Sequence, residues 1–470
     1  MKCSPIYECP RLCDRRFFPF ASTQIWNRLR PVALLSLALS FSFAAYGQRH
    51  APVVGPRPIS TLHVSANGRY FQTSDGRPLF WLGDTGWTLL TDYAPTEAAT
   101  YLAARAEMGF TLVQMVAVWD GGTGTEHGPK PNPNMAGVQP WFHRDPLQPN
   151  EAYWKNVDWV IATAAKDGLY VGLLPAWGSF VVNYKMITMA NAEAYGRWLG
   201  NRYRNASNLV WIVGGDREFT NAPDIWRAIG HGLQQGDGGA HLIVFHPGGK
   251  LVSTQQERWL SADMIQTWAW YKDIPKQVTI DYELKPTKPV ILGEGAYEEG
   301  LEYPTGPITP LIVRKQAYWT YLSGGFFTYG HSDMWHKNPT WKKSLRSEGA
   351  QDMRILHHVF DALPWWDLVP AQSLFAAGQG SGTTFNAAAV SSNKTWAMVY
   401  LSSPTTVELQ LDRLKGPRLN VTWINPATGQ RIRKVAYSAS GVKSFITPDG
   451  WPDALLLLQR NPPEVPKAAQ

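Results

Sequence analysis

Cysteine is nearly absent. The 470 residues hold three, Cys3, Cys9 and Cys13, all within one short stretch near the start. Charge is also sparse, at 17% of residues, and no Lys/Arg-rich tract suggests nucleic acid as a partner. Long apolar runs are missing except for Pro31 to Ala45. There is no G-x-S-x-G, which disfavours a serine hydrolase. Asp120-Gly121-Gly122-Thr123-Gly124 is glycine-rich, but no lysine follows with phosphate-loop spacing and no helix starts there. It reads as a mobile loop over a site.

The one apolar run reads as part of an export signal. Arg28 and Arg30 precede it, and Ala45-Tyr46-Gly47 ends it before Gln48. A basic flank, a short apolar core and small residues at −3 and −1 predict cleavage near Gly47 and a periplasmic or secreted protein. The alternative is a membrane anchor, for which the run is short. Loss of residues 1–47 removes every cysteine, so no disulfide, thiolate metal site or cysteine nucleophile remains. It also lowers the net charge from +7 to +3, with 38 Lys/Arg against 35 Asp/Glu. No membrane partner is expected after cleavage, and nothing in the sequence speaks to oligomeric state.

Residues 48–60 are proline-rich and read as an extended arm. From there strand-like and helical segments alternate, the pattern of a parallel sheet with crossover helices. Eight strands are expected: Pro78–Asp84, Thr111–Val118, Tyr170–Ala176, Leu209–Gly214, Leu242–His246, Met264–Trp268, Pro289–Gly293 and Gly325–Tyr329. Eight argue for a (β/α)8 TIM barrel over residues 61–370. Thr96 and Asn150 are candidate helix caps, with Gly109 and Gly168 as stops. Further helices are expected over Asn191–Tyr203, Asp224–Leu233, Val313–Leu322 and Ser347–Phe360. Residues 371–460 carry short alternating runs broken by turn signals. They predict a small antiparallel β-sandwich, followed by a disordered tail, 461–470.

Two of the barrel runs end in an acid. Leu209-Val210-Trp211-Ile212-Val213-Gly214-Gly215-Asp216 is the fourth run, and Pro289-Val290-Ile291-Leu292-Gly293-Glu294 reaches its acid at the seventh. Apolar, β-branched runs that break on glycine suit buried parallel strands delivering side chains to a barrel mouth. Glycosidic cleavage needs one carboxyl group to protonate the leaving oxygen, and a second to attack the anomeric carbon or activate water. Asp216 and Glu294 meet that need. Taken singly, Asp216 also fits a helix N-cap or an ion pair with Arg217, and Glu294 an ion pair with some arginine.

Tryptophan is abundant, with 22 in the chain, and many fall at strand ends: Trp81, Trp87, Trp119, Trp177, Trp268, Trp270 and Trp335. Apolar sugar faces pack on such rings, although core packing suits most of the 22 better. Trp119 and Trp177 directly follow their strands and are the favoured pocket walls, with Trp268 and Trp335 also counted as substrate-binding. Asp84, Thr85, Gln114, His246, Gln266, Tyr329 and His331 are polar strand-end groups suited to hydroxyls. His331, Asp333 and His336 fit no standard metal spacing, so no metal is expected.

Four segments stand in one order: Phe80-Trp81-Leu82-Gly83-Asp84-Thr85, Leu173-Leu174-Pro175-Ala176-Trp177-Gly178, Trp211-Ile212-Val213-Gly214-Gly215-Asp216-Arg217 and Leu292-Gly293-Glu294. The series resembles glycoside hydrolase family 140 and its relatives over about residues 58–370. The segment with Trp423-Ile424-Asn425-Pro426-Ala427-Thr428-Gly429 is similar to the accompanying C-terminal domain, which carries an old collagen-binding label. The resemblance implies an apiosidase acting on apiose-containing side chains of pectic rhamnogalacturonan II. It also implies a retaining mechanism, with Asp216 as acid/base and Glu294 as nucleophile. The exact sugar depends on loops, here Asp120–Phe142 and Glu298–Pro310.

The expectation is thus an exported retaining glycosidase for an oligosaccharide or polysaccharide, with no cofactor. Rivals are an arabinofuranosidase, a galactosidase, or a non-catalytic glycan- or matrix-binding protein acting through the sandwich.

Overall fold

The computed structural model describes residues 59–120, 131–249, 257–301 and 303–460. The expected signal, nearly all of the proline-rich arm, the glycine-rich loop after Asp120 and the tail lie outside the described residues. None of the described helices is long and apolar enough to cross a membrane.

Eight parallel strands form the barrel: Leu82–Thr85, Leu112–Val116, Tyr170–Leu174, Leu209–Gly214, Ile243–His246, Asp263–Gln266, Val290–Glu294 and Gly325–Tyr329. Every residue in them is buried, which is why they read as continuous apolar runs rather than alternating ones. Parallel ladders join all neighbours except the fifth and sixth strands. There Ser261 closes the seam: its N–H donates to the Ile243 carbonyl at 2.8 Å, and its Oγ accepts from the Ile243 N–H at 3.1 Å.

The first expected strand, Pro78–Asp84, is two strands. Pro78–Leu79 joins Leu62–Val64 and Phe71–Thr73 in a small antiparallel sheet, and the barrel strand starts only at Leu82. Phe71 packs on Trp81 and Phe326, so this sheet lies at the N-terminal end of the barrel strands, away from the two acids.

Helices cover the barrel where expected, with adjusted ends. The first, Pro95–Glu107, starts one residue before the expected cap, Thr96. Its cap is Ala94, whose N–H donates to the Glu97 carboxylate at 3.0 Å. Asn150 caps Glu151–Lys166 by accepting from the Ala152 N–H at 3.2 Å. Ser347 caps Glu348–Asp361. Gly109 and Gly168 take positive φ at the stops, where a Cβ would be strained.

The C-terminal region holds an antiparallel sheet of six strands and a second of three. The six-stranded sheet is covered on both faces. Along Trp396–Leu401, Trp396, Met398 and Tyr400 join the core continuous with the barrel, while Ala397, Val399 and Leu401 join the sandwich core. Ala454, Leu456 and Leu458 face the sandwich; Leu455 and Leu457 face the barrel. The barrel helix Pro310–Leu322 carries the junction. Tyr318 stacks on Tyr400 at 4.6 Å, and Trp319 Nε1 donates to the Phe385 carbonyl.

Candidate active site

The fourth strand ends in a backbone kink that only its sequence permits. Gly214 and Gly215 have φ of 102° and 107°, and Asp216 follows in the left-handed region at 51°. A Cβ on Gly214 would stand 2.4 Å from the His246 carbonyl oxygen, and one on Gly215 would stand 2.7 Å from the Trp177 ring. The chain therefore turns sharply between the fifth strand and Trp177, and Asp216, of a type that tolerates this conformation, swings to the mouth. Arg217 donates to the Asp216 carbonyl and to Asn183 Oδ1 rather than to the Asp216 carboxylate. Glu294 ends the seventh strand beyond a register shift against the sixth, which pairs it with Gln266. The bulge re-aims its side chain.

These two acids and His246 come together. One donor atom from each lies within 4.8 Å of the others. Gln266 Nε2 donates to Asp216 Oδ1 at 2.7 Å, and His246 Nε2 stands 3.2 Å from Glu294 Oε2, though poorly aligned for a linear hydrogen bond. His246 Nδ1 lies 3.1 Å from the Pro247 carbonyl, an acceptor only, so Nδ1 carries a proton. Burial works against a charged ring, but the Glu294 carboxylate and then Asp216 outweigh it and raise the His246 pKa. Asp216 is pushed up to about 6, first by burial and then by the charge of Glu294. His246, Gln266 and Arg217 oppose that push. A carboxyl group raised in this way beside a second acid suits a proton donor.

Aromatic rings wall the pocket. A cavity of about 160 Å³ is lined by Trp87, Trp119, Trp177, Trp268, Trp335, Tyr297 and Tyr303 around Asp216, Gln266 and Glu294. Trp119 and Trp177 meet edge to face at 4.8 Å. Several buried polar atoms here have no hydrogen-bond partner among the described residues: Trp177 Nε1, Trp335 Nε1 and Gln266 Oε1. Unsatisfied groups gathered at one cavity suit a hydroxyl-rich ligand. Trp268 holds φ of 46°, a strained conformation for a bulky residue at a strand end.

Of the residues expected from sequence, Asp216, Glu294, Trp119, Trp177, Gln266, Trp268 and Trp335 line the cavity, and His246 sits behind Glu294 against Trp87 and Trp177. Trp87, Tyr297 and Tyr303 were not singled out as pocket residues. Trp87 Nε1 donates to the Tyr297 hydroxyl at 2.6 Å, and the Tyr303 hydroxyl accepts from the Tyr297 N–H at 3.0 Å. Burial and then Glu294's charge keep the Tyr297 phenol protonated. Its position three residues after Glu294 was the available signal.

Three expected sugar ligands are elsewhere. Asp84 is fully buried and pairs with Arg105 at 2.8 Å and with the Tyr101 hydroxyl, so it anchors the first helix. The Tyr329 hydroxyl donates to Glu298 Oε2, a carboxylate that also accepts from Ser347 and the Gly349 N–H at the start of the last barrel helix. His331 Nδ1 accepts from the Asp333 N–H and caps the short helix Ser332–Trp335. Gln114, too, is engaged, donating to the Gly293 carbonyl at 2.7 Å.

Two clusters have donor spacing compatible with a cation. In Glu299, His331 and Asp333, the cap leaves the ring proton on Nε2, where a metal would need a lone pair. Both Asp333 oxygens already accept from Asn338, Thr340 and Ser344. That group is a poor metal site. The other cluster is Asp216, His246 and Glu294 itself.

The chain matches the family model described as "Apiosidase-like, catalytic domain" over residues 65–367, and that described as "Putative collagen-binding domain of a collagenase" over residues 369–459. Two solved structures are similar over nearly the whole chain. One, named as a glycoside hydrolase, is 27% identical with a TM-score of 0.79, covering 87% of this chain and 98% of its own. The other, a glycoside hydrolase family 5 protein from Bacteroides vulgatus, is 26% identical with a TM-score of 0.79, covering 86% and 95%. Among curated proteins none matches the chain. With an eight-stranded barrel, two converging carboxylates and a catalytic-domain match over more than half its length, the chain belongs to the apiosidase-like family and is a glycoside hydrolase.

Proposed function

We propose that the protein is an exported, metal-independent retaining glycosidase that removes apiosyl or related furanosyl units from a plant pectic glycan. The observation that carries the mechanism is the approach of the two carboxylates, with one oxygen of each within 4.8 Å. Retaining enzymes hold their carboxyl groups about 5–5.5 Å apart, and inverting ones about 6.5–9.5 Å.

In this reading Asp216, protonated up to about pH 6, donates its proton to the leaving oxygen. Glu294, with the His246 ring 3.2 Å away, attacks the anomeric carbon as the glycosidic C–O bond breaks. The Glu294 ester carries no charge, so its share of the push that raised Asp216 disappears, while that of burial stays. The Asp216 carboxylate then takes a proton from the water that attacks the glycosyl ester. Activity is expected to fall as pH rises through about 6, because the acid is then deprotonated before the first step.

The substrate reading draws on the family match and on the tryptophan-walled cavity, which suits sugar C–H faces. Export draws on residues 1–47 alone. Arabinofuranosides and galactosides are the competing substrates.

The test combines variants with azide. Glu294→Ala should lose nearly all turnover, and azide should restore reaction with inverted configuration. Asp216→Ala should keep the most activity on substrates with good leaving groups, and azide should give a retained product. The opposite pairing would exchange the two roles; near-normal activity in both variants would remove the assignment. Pectic and arabinan oligosaccharides then identify the sugar. Activity that survives exhaustive chelation is expected, and its loss, restored by a divalent cation, would overturn metal independence. Mass spectrometry of the exported chain should show a start near Gln48.

A further inference from the structure

The two halves of the chain differ in charge. Residues 61–370 carry 26 Lys/Arg against 30 Asp/Glu, whereas residues 371–460 carry nine against four. One of those four, Asp453, is buried and held by Arg314 of the barrel. The cationic surplus therefore sits on the sandwich, and part of it is concentrated on one sheet edge. Arg431–Ser438 is the edge strand of the six-stranded sheet, beside Arg418–Ile424. Arg431, Arg433 and Lys434 are exposed there, and among the described residues none has an ion pair or side-chain hydrogen bond. They line a concavity of about 310 Å³ with Asn420, Thr422 and Gln459.

Charges on an edge strand serve first to keep it from pairing with another chain. That role needs only charge. It does not call for a hollow, for cations of one sign without an acid in the lining, or for carboxamides and a hydroxyl between them. Register puts Arg433 across from Thr422, which in turn faces Leu457; Asn420 faces Gln459. Arg431 and Arg433, two residues apart on one strand, point to the same face about 6.6–6.8 Å apart. Arg431, Arg433, Thr422, Asn420 and Gln459 thus form rows on the face that, further along, packs on the barrel, while Lys434, opposite Val421, borders the hollow from the other side of the strand.

We propose that this ledge binds an anionic polysaccharide whose charge is carried by carboxylates, a uronate-containing chain. Guanidinium groups match carboxylates in a planar, two-bonded fork. Asn420, Thr422 and Gln459 supply donors and acceptors for the hydroxyls between charges. The lining has no aromatic side chain on which a base could stack, so nucleic acid fits it less well. The ledge is independent of the hydrolytic reading: it concerns retention of a polymer, not cleavage.

The test uses the full chain and polygalacturonate, with neutral galactan as the control. Retention in an affinity gel should be clear for polygalacturonate, absent for galactan, and should weaken steeply from about 0.05 to 0.5 M salt. Arg431→Gln/Arg433→Gln/Lys434→Gln should weaken retention about tenfold or more, with the melting temperature and hydrolysis of a small soluble glycoside unchanged. If the triple variant folds poorly, Arg433→Gln alone should weaken retention severalfold. Unchanged retention in a folded variant overturns the proposal. So does equal or tighter binding of duplex DNA, which would make the ledge a generic polyanion surface, and so does collagen binding lost in the same variant without any polygalacturonate binding. Failure of hydrolysis on every glycan would sink the enzymatic reading while leaving the retention result intact.

Discussion

Two places in the molecule bring a pair of carboxylates together, and they do so in opposite ways. At the junction between barrel and sandwich, Arg314 reaches both acids. Its Nε and Nη2 donate to the two oxygens of Asp453 at 3.0 and 2.9 Å, and its Nη1 donates to Asp352 at 2.7 Å. The Tyr400 hydroxyl adds a bond to Asp453. At the barrel mouth no arginine intervenes. Asp216 and Glu294 face each other with His246 beside one and Gln266 beside the other. The junction neutralises its acids and so joins two domains. The mouth leaves its acids close together without such a cation, the arrangement on which the proposed division into proton donor and nucleophile rests. A close pair of carboxylates does not by itself point to catalysis; what stands between them separates the two cases.

The strongest way to break this contrast is at the junction. Arg314→Met leaves Asp352 and Asp453 without their cation, and should cost about 3–5 kcal/mol of stability. Denaturant unfolding measures it, and the folded fraction should retain its kcat. Substitutions at the mouth should do the reverse. Asp216→Asn and Glu294→Gln remove mutual repulsion, so each should melt no lower than the parent, while kcat falls by about three orders of magnitude or more. A large loss of stability in either would mean that the mouth, too, is a structural pair.

His246→Gln sharpens the contrast by removing the basic side chain that stands 3.2 Å from Glu294. We expect kcat to fall about tenfold to a hundredfold, and the alkaline limb of the pH–rate profile to move to higher pH, since Asp216 has lost a charge that holds its pKa down. A uniform loss of activity with an unmoved profile would show that the ring only fills space.

The smallest effect concerns a buried acid outside both pairs. Asp263 is pushed up to about 7, mainly by burial, against the opposing Lys288 charge. Its folded pKa exceeds the unfolded value, so between about pH 4 and 7 the unfolded chain has released a proton that the folded one keeps, and stability falls as pH rises through that window. Asp263→Asn should therefore gain melting temperature relative to the parent at pH 8, by a few degrees at most, and gain less at pH 5. Equal differences at both values would refute the shift.

Much of the barrel was legible because its strands are buried, largely apolar runs, several of which end at or next to a polar residue, as they do at both catalytic candidates. The same signature misled at Asp84 and Tyr329. A strand-end acid looks alike in sequence whether it faces a pocket or an arginine. The partners of Asp84, Tyr101 and Arg105, lie one helical turn apart and inward on Pro95–Glu107, a pairing visible only once helix and strand are placed together. The three strands before Leu82 are two or three residues long, too short for any period to register. In the sandwich, Leu368–Pro370, Phe375–Ala377, Ala387–Ser391 and Val442–Ile446 escaped notice. Ala387-Ala388-Ala389 is covered on both faces, so its residues do not alternate.

The doubly covered sheet bears on reach. A binding module on a flexible linker sweeps a volume, and its benefit to a neighbouring catalytic site declines smoothly with distance. A module whose sheet shares the barrel's core has no such freedom. Whatever polymer the sandwich holds is presented to Asp216 and Glu294 at one separation and one angle, like a workpiece in a fixed jig. Chain length then becomes a threshold: oligomers too short to span both places gain nothing from the second, and those just long enough gain nearly all of it.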